Sequence, residues 1–251
     1  MSLQKMLDRI DKTKEYIATR RPLLPEEVKQ LDEYFKIGLT YTSNALEGNS
    51  LTLSETAVIL KDGITVGGKP LRDIYEAVGH ADAYNFMIEA ARSDFFNLSA
   101  DIIRQLHKLF YQGVDAKHAG VYRDIQNYIQ GSEHIPPKAE DVPALMNSFI
   151  HSFDYRSDNT HPVKLAAYAH QKFVDIHPFI DGNGRTARLI MNLILINHGY
   201  QIISIPPILR AEYISALEAS RRGGNAFTTF IAELEIEAQK EFCRMLHIEY
   251  E

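Results

Sequence analysis

The chain holds a single cysteine, Cys243, among its 251 residues. No internal disulfide can form, and four-cysteine zinc sites and thioredoxin-like pairs are excluded with it. Positive charge is not in excess. There are 27 Lys+Arg against 33 Asp+Glu, a formal net charge of −6. A broad basic surface for coating nucleic acid or an anionic membrane is therefore excluded, whereas a local cationic pocket is not. Long hydrophobic runs are also missing. The most apolar stretch, 189–196, is interrupted by Asn192 and falls short of the ~20 residues that a membrane span needs. The first 14 residues place Leu3, Met6, Leu7 and Ile10 among charges, as an amphipathic helix does and a secretory signal does not. A cytoplasmic protein with no nucleic-acid or membrane partner is the expectation.

What is present is ordinary globular composition, 45% hydrophobic and 24% charged, in a chain long enough for one large domain or two small ones. Helical spacing dominates. Val28, Leu31, Phe35 and Leu39 form one stripe behind Pro25, which suits a first helical turn. Thr52 and Glu55 form a capping box for a short helix that stops at Asp62-Gly63. Ile74, Val78, Ala81, Asn85 and Ile88 mark another helix, and Ser99 caps the next, with Ile103, Leu106 and Phe110 inside. Val142, Leu145, Phe149 and Phe153 mark a further one. A helix opens at His161-Pro162 and runs to about Ile176. Residues 186–197 are apolar almost all round, as in a central helix. An amphipathic helix over about 226–248 closes the chain. Residues 122–137 break the pattern: Ile125, Tyr128 and Ile129 precede Gly131 and Pro136-Pro137, which predicts a short β-hairpin or extended flap. With no internal repeat or low-complexity linker, the fold class is one all-α domain with a small hairpin.

The segment that carries chemistry is His177-Pro178-Phe179-Ile180-Asp181-Gly182-Asn183-Gly184-Arg185-Thr186-Ala187-Arg188. Pro178 disfavours helical geometry at His177, so the preceding helix ends there. Gly182 and Gly184 allow successive N–H groups to turn inward as an anion-binding nest. The following helix presents its positive end to the same spot. Arg185 and Arg188, three apart, share a face near that end. Asp181 is a hard oxygen ligand for magnesium, which completes its shell with water and phosphate oxygens. His177 is an acid–base group. These parts predict a polyphosphate site with a base beside it. An EF-hand fails at Arg185 and Asn192. A dinucleotide site fails because no strand precedes the glycines and residues 200–205 lack an acidic ribose ligand. No zincin-like histidine pair is present, and His107, His134, His161 and His170 read as structural.

The segment resembles the signature of the Fic family, His-Pro-Phe-x-Asp/Glu-Gly-Asn-Gly-Arg-x-x-Arg, at every specified position. The resemblance runs from about Tyr41 to Glu233. It implies a helical bundle around a central helix–loop–helix, and a single Fic domain over 1–251. Within it, about 1–98 would be the N-terminal helical part, about 99–235 the catalytic core and about 226–248 the last helix. It also implies transfer of AMP from ATP to a Ser, Thr or Tyr hydroxyl of a target protein, or of the chain itself, with Mg2+. His177 would be the base and Asp181 the metal ligand. Gly182, Asn183 and Gly184 would cradle phosphate, Arg185 would grip the α/β region, and Arg188 the γ-phosphate. Both glycines and both arginines are kept, which sets the chain apart from the family's kinase-like variant. Residues 122–137 would be the flap that docks the target, and a homodimer is compatible with this reading.

Ser43-Asn44-Ala45-Leu46-Glu47-Gly48 reads by itself as a helix C-terminus stopped by Gly48, with Glu47 in solvent. It also resembles the family's inhibitory pattern, Ser/Thr-x-x-x-Glu-Gly/Asn. Glu47 would then pair with Arg188, Ser43 would steady the helix, and the chain would fall in the class with an N-terminal inhibitory helix. Tyr213 either packs on adenine or belongs to the core. Arg221 stands where compared relatives often carry Asn, which leaves nucleotide selectivity open. Two other readings remain: a phosphodiesterase that removes AMP from modified proteins with the help of Glu47, and a nucleotide-binding regulator without catalysis.

Overall fold

The computed structural model describes residues 1–20, 23–93, 97–129 and 132–249. Among them the regular elements are all helical: α1 (Leu3–Ala18), α2 (Pro25–Ala45), α3 (Leu53–Asp62), α4 (Leu71–Ala91), α5 (Ala100–Tyr111), α6 (Val142–Ser157), α7 (Pro162–Ile176), α8 (Asn183–Asn197), α9 (Arg210–Arg221) and α10 (Ala226–Met245). Their ends follow local chemistry. Pro25 opens α2, and the Glu27 carboxylate accepts the Leu24 N–H at 2.8 Å. Thr52 and Glu55 bond reciprocally at the start of α3, and Gly63 ends it at φ 65°. The Ser99 hydroxyl accepts the Ile102 N–H at the start of α5. Helix α10 stops at Met245, with Leu246 as its cap, three residues short of the expected end.

Helix α8 is the axis of the bundle. Residues Leu189, Ile190, Met191, Leu193, Ile194 and Leu195 are all fully buried, and α7, α4, α5 and α2 pack around them. It starts at Asn183, one turn before the expected Thr186. Gly182, at φ 75°, takes the cap position, and its carbonyl accepts the Thr186 N–H and hydroxyl. Two predicted stripes are shifted. Val28 on α2, and Val78 and Asn85 on α4, are exposed. The inner face of α4 instead runs through Ile74, Ala77, Ala81, Tyr84 and Ile88, with Asp73, Glu76 and His80 buried alongside. Gly79 on that face lies so close to the carbonyl of Phe110 that any Cβ would overlap it.

The expected β-hairpin over 122–137 is absent from the described residues, which bend at 124–125 and make no strand pairing. Gly131, the expected turn, lies outside those residues. The physical reason is visible in the hydrogen bonds. Pro136 and Pro137 bring no N–H donors. Side chains take over instead: Arg123 donates to the carbonyls of Ile125 and Pro137, and Gln126 donates to that of Pro136. No helix of the described residues is long and apolar enough to cross a membrane.

Asn192, the one polar interruption of the α8 run, closes the bundle. Its amide donates at 3.0 Å to the carbonyls of Arg188 and Ile203, and its oxygen accepts the Ile203 N–H at 2.7 Å. All of this is buried, so a lost partner leaves an unsatisfied group. Replacing Asn192 with Leu strands both backbone groups of Ile203, and a loss of about 2–4 kcal/mol in unfolding free energy is expected from urea titration. A loss below about 1 kcal/mol would mean that the segment finds other partners.

Candidate functional site

The loop between α7 and α8 is held by its own side chains. His177 caps α7 in the left-handed region at φ 52°, with its N–H bonded to the Phe173 carbonyl. A residue other than glycine is uncommon there and gains from support. The support is Arg123, which is buried: its Nε donates to the His177 carbonyl at 2.8 Å, and its backbone N–H donates to Pro178. Asn183 folds the loop onto itself. Its side-chain oxygen accepts the Phe179 N–H at 2.9 Å, and its amide donates to the Phe179 carbonyl at 2.8 Å. The Asn183 side chain is therefore spent on the loop, and what it offers to the site is its backbone N–H at the start of α8.

His107, read as structural from sequence, sits beneath this loop. Its ring stacks on Phe179 with centroids 3.7 Å apart. Gly120 N–H donates to Nδ1, so the hydrogen is on Nε2, which donates to the Asp181 carbonyl at 3.0 Å. Burial pushes its pKa down to about 4, so the ring is neutral.

The arginines of the loop reach across to α2 and α4. Arg188 is fully buried. Its Nη2 donates to Glu47 Oε1 and to the Ser43 carbonyl, both at 2.8 Å, and its Nε donates to the Ser43 hydroxyl at 3.0 Å. Its Nη1 is buried without a partner. The Glu47 carboxylate lies directly over Gly184, so close that a Cβ on Gly184 would collide with it. Burial raises the Glu47 pKa, but the charges of Arg188 and Arg185 outweigh that, and the carboxyl is held below its usual range. The end of α2 is pinned from several sides. Arg210 donates to the Leu46 carbonyl, Asn49 donates to the Asp73 carbonyl and to Glu76, and Ser50 donates to Asp73.

Arg185 is buried too, with its guanidinium over the Phe110 ring at 4.4 Å. Its Nη1 meets Glu76 Oε1 at 3.0 Å, its Nη2 lies 3.5 Å from Asp181 Oδ1, and its Nε has no partner. Arg72 closes the circuit, bonding Glu76 Oε1 through Nε at 3.0 Å and Asp181 Oδ2 through Nη2 at 2.6 Å. Four alternating charges, Arg72, Glu76, Arg185 and Asp181, thus form a ring at the mouth of the loop. Burial raises the Asp181 pKa, but the neighbouring arginines and the Gly182 N–H bring it below the usual value. Sequence reading missed Arg72 and Glu76, because a pair four apart near a helix start reads as a solvated face.

His177 opens onto a cavity of about 140 Å³ that is also lined by Glu47, Gly184, Arg210, Tyr213 and Arg221. Its Nδ1 donates to the Val174 carbonyl at 3.3 Å, which leaves Nε2 with a free lone pair. Burial is the main cause, with the Arg123 charge adding to it, that pushes the His177 pKa down to about 4. Tyr213 faces the same cavity while its hydroxyl bonds His170 Nε2 at 3.0 Å. Arg221 bonds Asp175 through Nε, and Glu218 and Ser132 through Nη1. The structure thus gathers His177, the glycines, Arg185, Arg188, Ser43 and Glu47 into one place, with Tyr213 at its edge and Asp181 at its mouth. Chemically, the place offers unpaired arginine N–H groups and a helix N-terminus for an oxyanion, with an unprotonated imidazole beside them.

Comparisons with known proteins point the same way. Residues 97–195 match the family model described as the Fic/DOC family. The chain is 37% identical over 195 residues to the protein adenylyltransferase Fic of Drosophila grimshawi, covering 77% of this chain and 40% of that protein. It is 34% identical over 234 residues to the protein of the same name from Nematostella vectensis, covering 91% and 53%. The chain thus spans about half the length, or less, of the curated relatives it matches. Among solved structures, a Fic domain containing signaling protein from Bacteroides thetaiotaomicron VPI-5482 superposes with a TM-score of 0.87 at 27% identity, covering 98% of this chain and 100% of that one. A Fic-1 fragment from C. elegans gives 0.86 at 27% identity, covering 96% and 71%.

The geometry at His177 generates a direct expectation. In an NMR titration its ring should protonate with a midpoint near 4 and be the Nδ1–H tautomer at neutral pH. A midpoint near the free-histidine value of about 6.5 would show that the ring is solvated.

Proposed function

We propose that this chain, which belongs to the Fic/DOC family through residues 97–195, transfers AMP from ATP to a protein hydroxyl and restrains itself with Glu47. The observation that carries the reading is the Glu47 carboxylate over Gly184, bonded to Arg188 at 2.8 Å. An anion of the chain's own sits where a helix N-terminus and buried arginines would receive a phosphate.

In the active arrangement Glu47 leaves, and Arg188 takes a phosphate oxygen in its place. Arg185 and the first N–H groups of α8 face the same polyphosphate. His177 Nε2 accepts the proton of the target hydroxyl as its oxygen forms a bond to the α-phosphorus. The bond from that phosphorus to the α,β-bridging oxygen breaks, and pyrophosphate leaves with the electron pair. Negative charge grows on phosphate oxygens along the way, and donors fixed beforehand stabilise it without reorganising. The depressed pKa keeps His177 unprotonated, and so competent as a base, at every pH well above about 4.

The donor set at Asp181 fits Mg2+. It is one half-exposed carboxylate, and no cluster of three or more acidic, histidine or cysteine ligands occurs among the described residues. Such a site suits an ion that keeps water and phosphate oxygens as its other ligands, and it supplies positive charge to the phosphates when bound. Beside His177, Ile125, Tyr128 and Ile135 expose apolar side chains on the 122–137 segment, and we assign target docking to this surface. Adenine is assigned to the cavity edged by Tyr213.

A second reading has its own observation: Glu47 and His177 line the same cavity. From there Glu47 could orient a water against the phosphorus of an AMP-modified target, with the target oxygen leaving. A regulator that only binds nucleotide needs no base, and the free Nε2 of His177 speaks against it.

Glu47→Gly is expected to raise self-labelling by radiolabelled ATP well above wild type, and equal labelling would remove the autoinhibition claim. His177→Ala is expected to abolish labelling while ATP binding by calorimetry persists; labelling that survives would remove His177 as the base. If the second reading holds, the wild type releases AMP from a modified target and Glu47→Gly does not.

A further inference from the structure

The ring of charges at the mouth of the loop contains one member that nothing in the reaction calls for. Arg72 lies on α4, outside the loop, yet it makes the shortest contact to the outer oxygen of Asp181, 2.6 Å from Nη2 to Oδ2. The other partners of this carboxylate are of the loop or of the core. Oδ1 accepts the Gly182 N–H at 2.6 Å and lies 3.5 Å from Arg185, and the Tyr111 hydroxyl reaches Oδ2 at 3.5 Å. Both carboxylate oxygens are therefore occupied, and Oδ2 is occupied chiefly by a cation.

The members of the ring differ in freedom. The Arg185 side chain is 4% exposed and sandwiched against Phe110, whereas that of Arg72 is 55% exposed. Arg72 can swing outward, and Arg185 cannot. Arg72 also keeps a partner when it does so, because its Nε bonds Glu76 one helical turn along α4. Leaving Asp181 does not strand its charge. Glu76, buried and shared with Arg185 and Asn49, stays in place as the anchor.

We propose that Arg72 is a positioning residue that holds the metal's place on Asp181 and is exchanged for the divalent ion when it binds. The proposal rests on the assignment of Asp181 as metal ligand. Before metal arrives, the guanidinium neutralises Asp181 and fixes its carboxylate toward the loop. When metal arrives, one cation replaces another at Oδ2 and the charge of the site is kept in balance. The cost is a weaker apparent metal affinity, since the ion must displace a resident partner. For a partly exposed ion pair that competition is modest, and removing it is expected to tighten metal binding about threefold.

The test uses Mn2+ alone as the probe, with the free ion counted by its electron paramagnetic resonance signal, on the full chain. Arg72→Gln is expected to bind Mn2+ about threefold more tightly than wild type. Arg72→Lys, which keeps charge but cannot bridge Glu76 and Asp181 with a fork, should fall between them. Asp181→Asn is expected to lose the site. If Asp181→Asn loses Mn2+ while Arg72→Gln binds no more tightly than wild type, the exchange is overturned and the metal assignment stands. If Asp181→Asn binds Mn2+ as the wild type does, the assignment itself falls and takes the exchange with it. Thermal melts of each variant identify any that fail to fold, and Arg72, on the surface at the start of α4, is a position where folding is expected to persist.

Discussion

A guanidinium with no access to water must have an anion beside it, and the arrangement around Arg188 follows from that constraint. Its charge is buried at the first turn of the central helix, where the helix dipole is also positive. Two positive features in one dry place are costly unless an oxyanion is supplied. The chain supplies one from α2, with Glu47, and leaves Nη1 of the same guanidinium unpaired. In the proposed mechanism Glu47 and a phosphate answer the same electrostatic demand, and the resting and loaded states would be two solutions of one problem. On that proposal the strength of the brake would be a difference between two anions at one site, with the pinning of α2 by Arg210, Asn49 and Ser50 on the side of the resting state.

The same logic extends outward in weaker form. Arg185 is buried against Phe110 and takes Glu76 as its counter-charge, and the more exposed Asp181 is shared between Arg185 and Arg72. Burial falls from Arg188 to Arg72. The inner partners are held in the packing of α8 against α4 and α2, and the outermost lies at the surface.

Much of this was legible in the sequence where the determinants are local. Thr52, Ser99, Pro25 and Gly63 marked helix ends, because caps act over three or four residues. The loop was legible for the same reason: glycines, base, carboxylate and arginines lie within twelve consecutive residues. The hairpin was misread, since short apolar alternation with a glycine does not reveal that Arg123 will satisfy the carbonyls that a partner strand would have used. Arg72 and Glu76 were missed for a related reason. Whether a pair on a helix meets water or another helix depends on packing across more than a hundred residues of chain separation. Asp73, Glu76 and His80 along the inner stripe of α4 were the available sign, polar residues where apolar ones were due.

Arg123 has one guanidinium bonded to three carbonyls, those of His177, Ile125 and Pro137. It acts as a coupling rod between residues 125 and 137 and the backbone of His177. A rod of this kind transmits displacement in both directions: a force on residues 125 or 137 arrives at the left-handed turn of His177, and a rearrangement of that turn returns to the surface. On the proposed docking of a target at that surface, the surface and the turn that orients the imidazole would be parts of one lever.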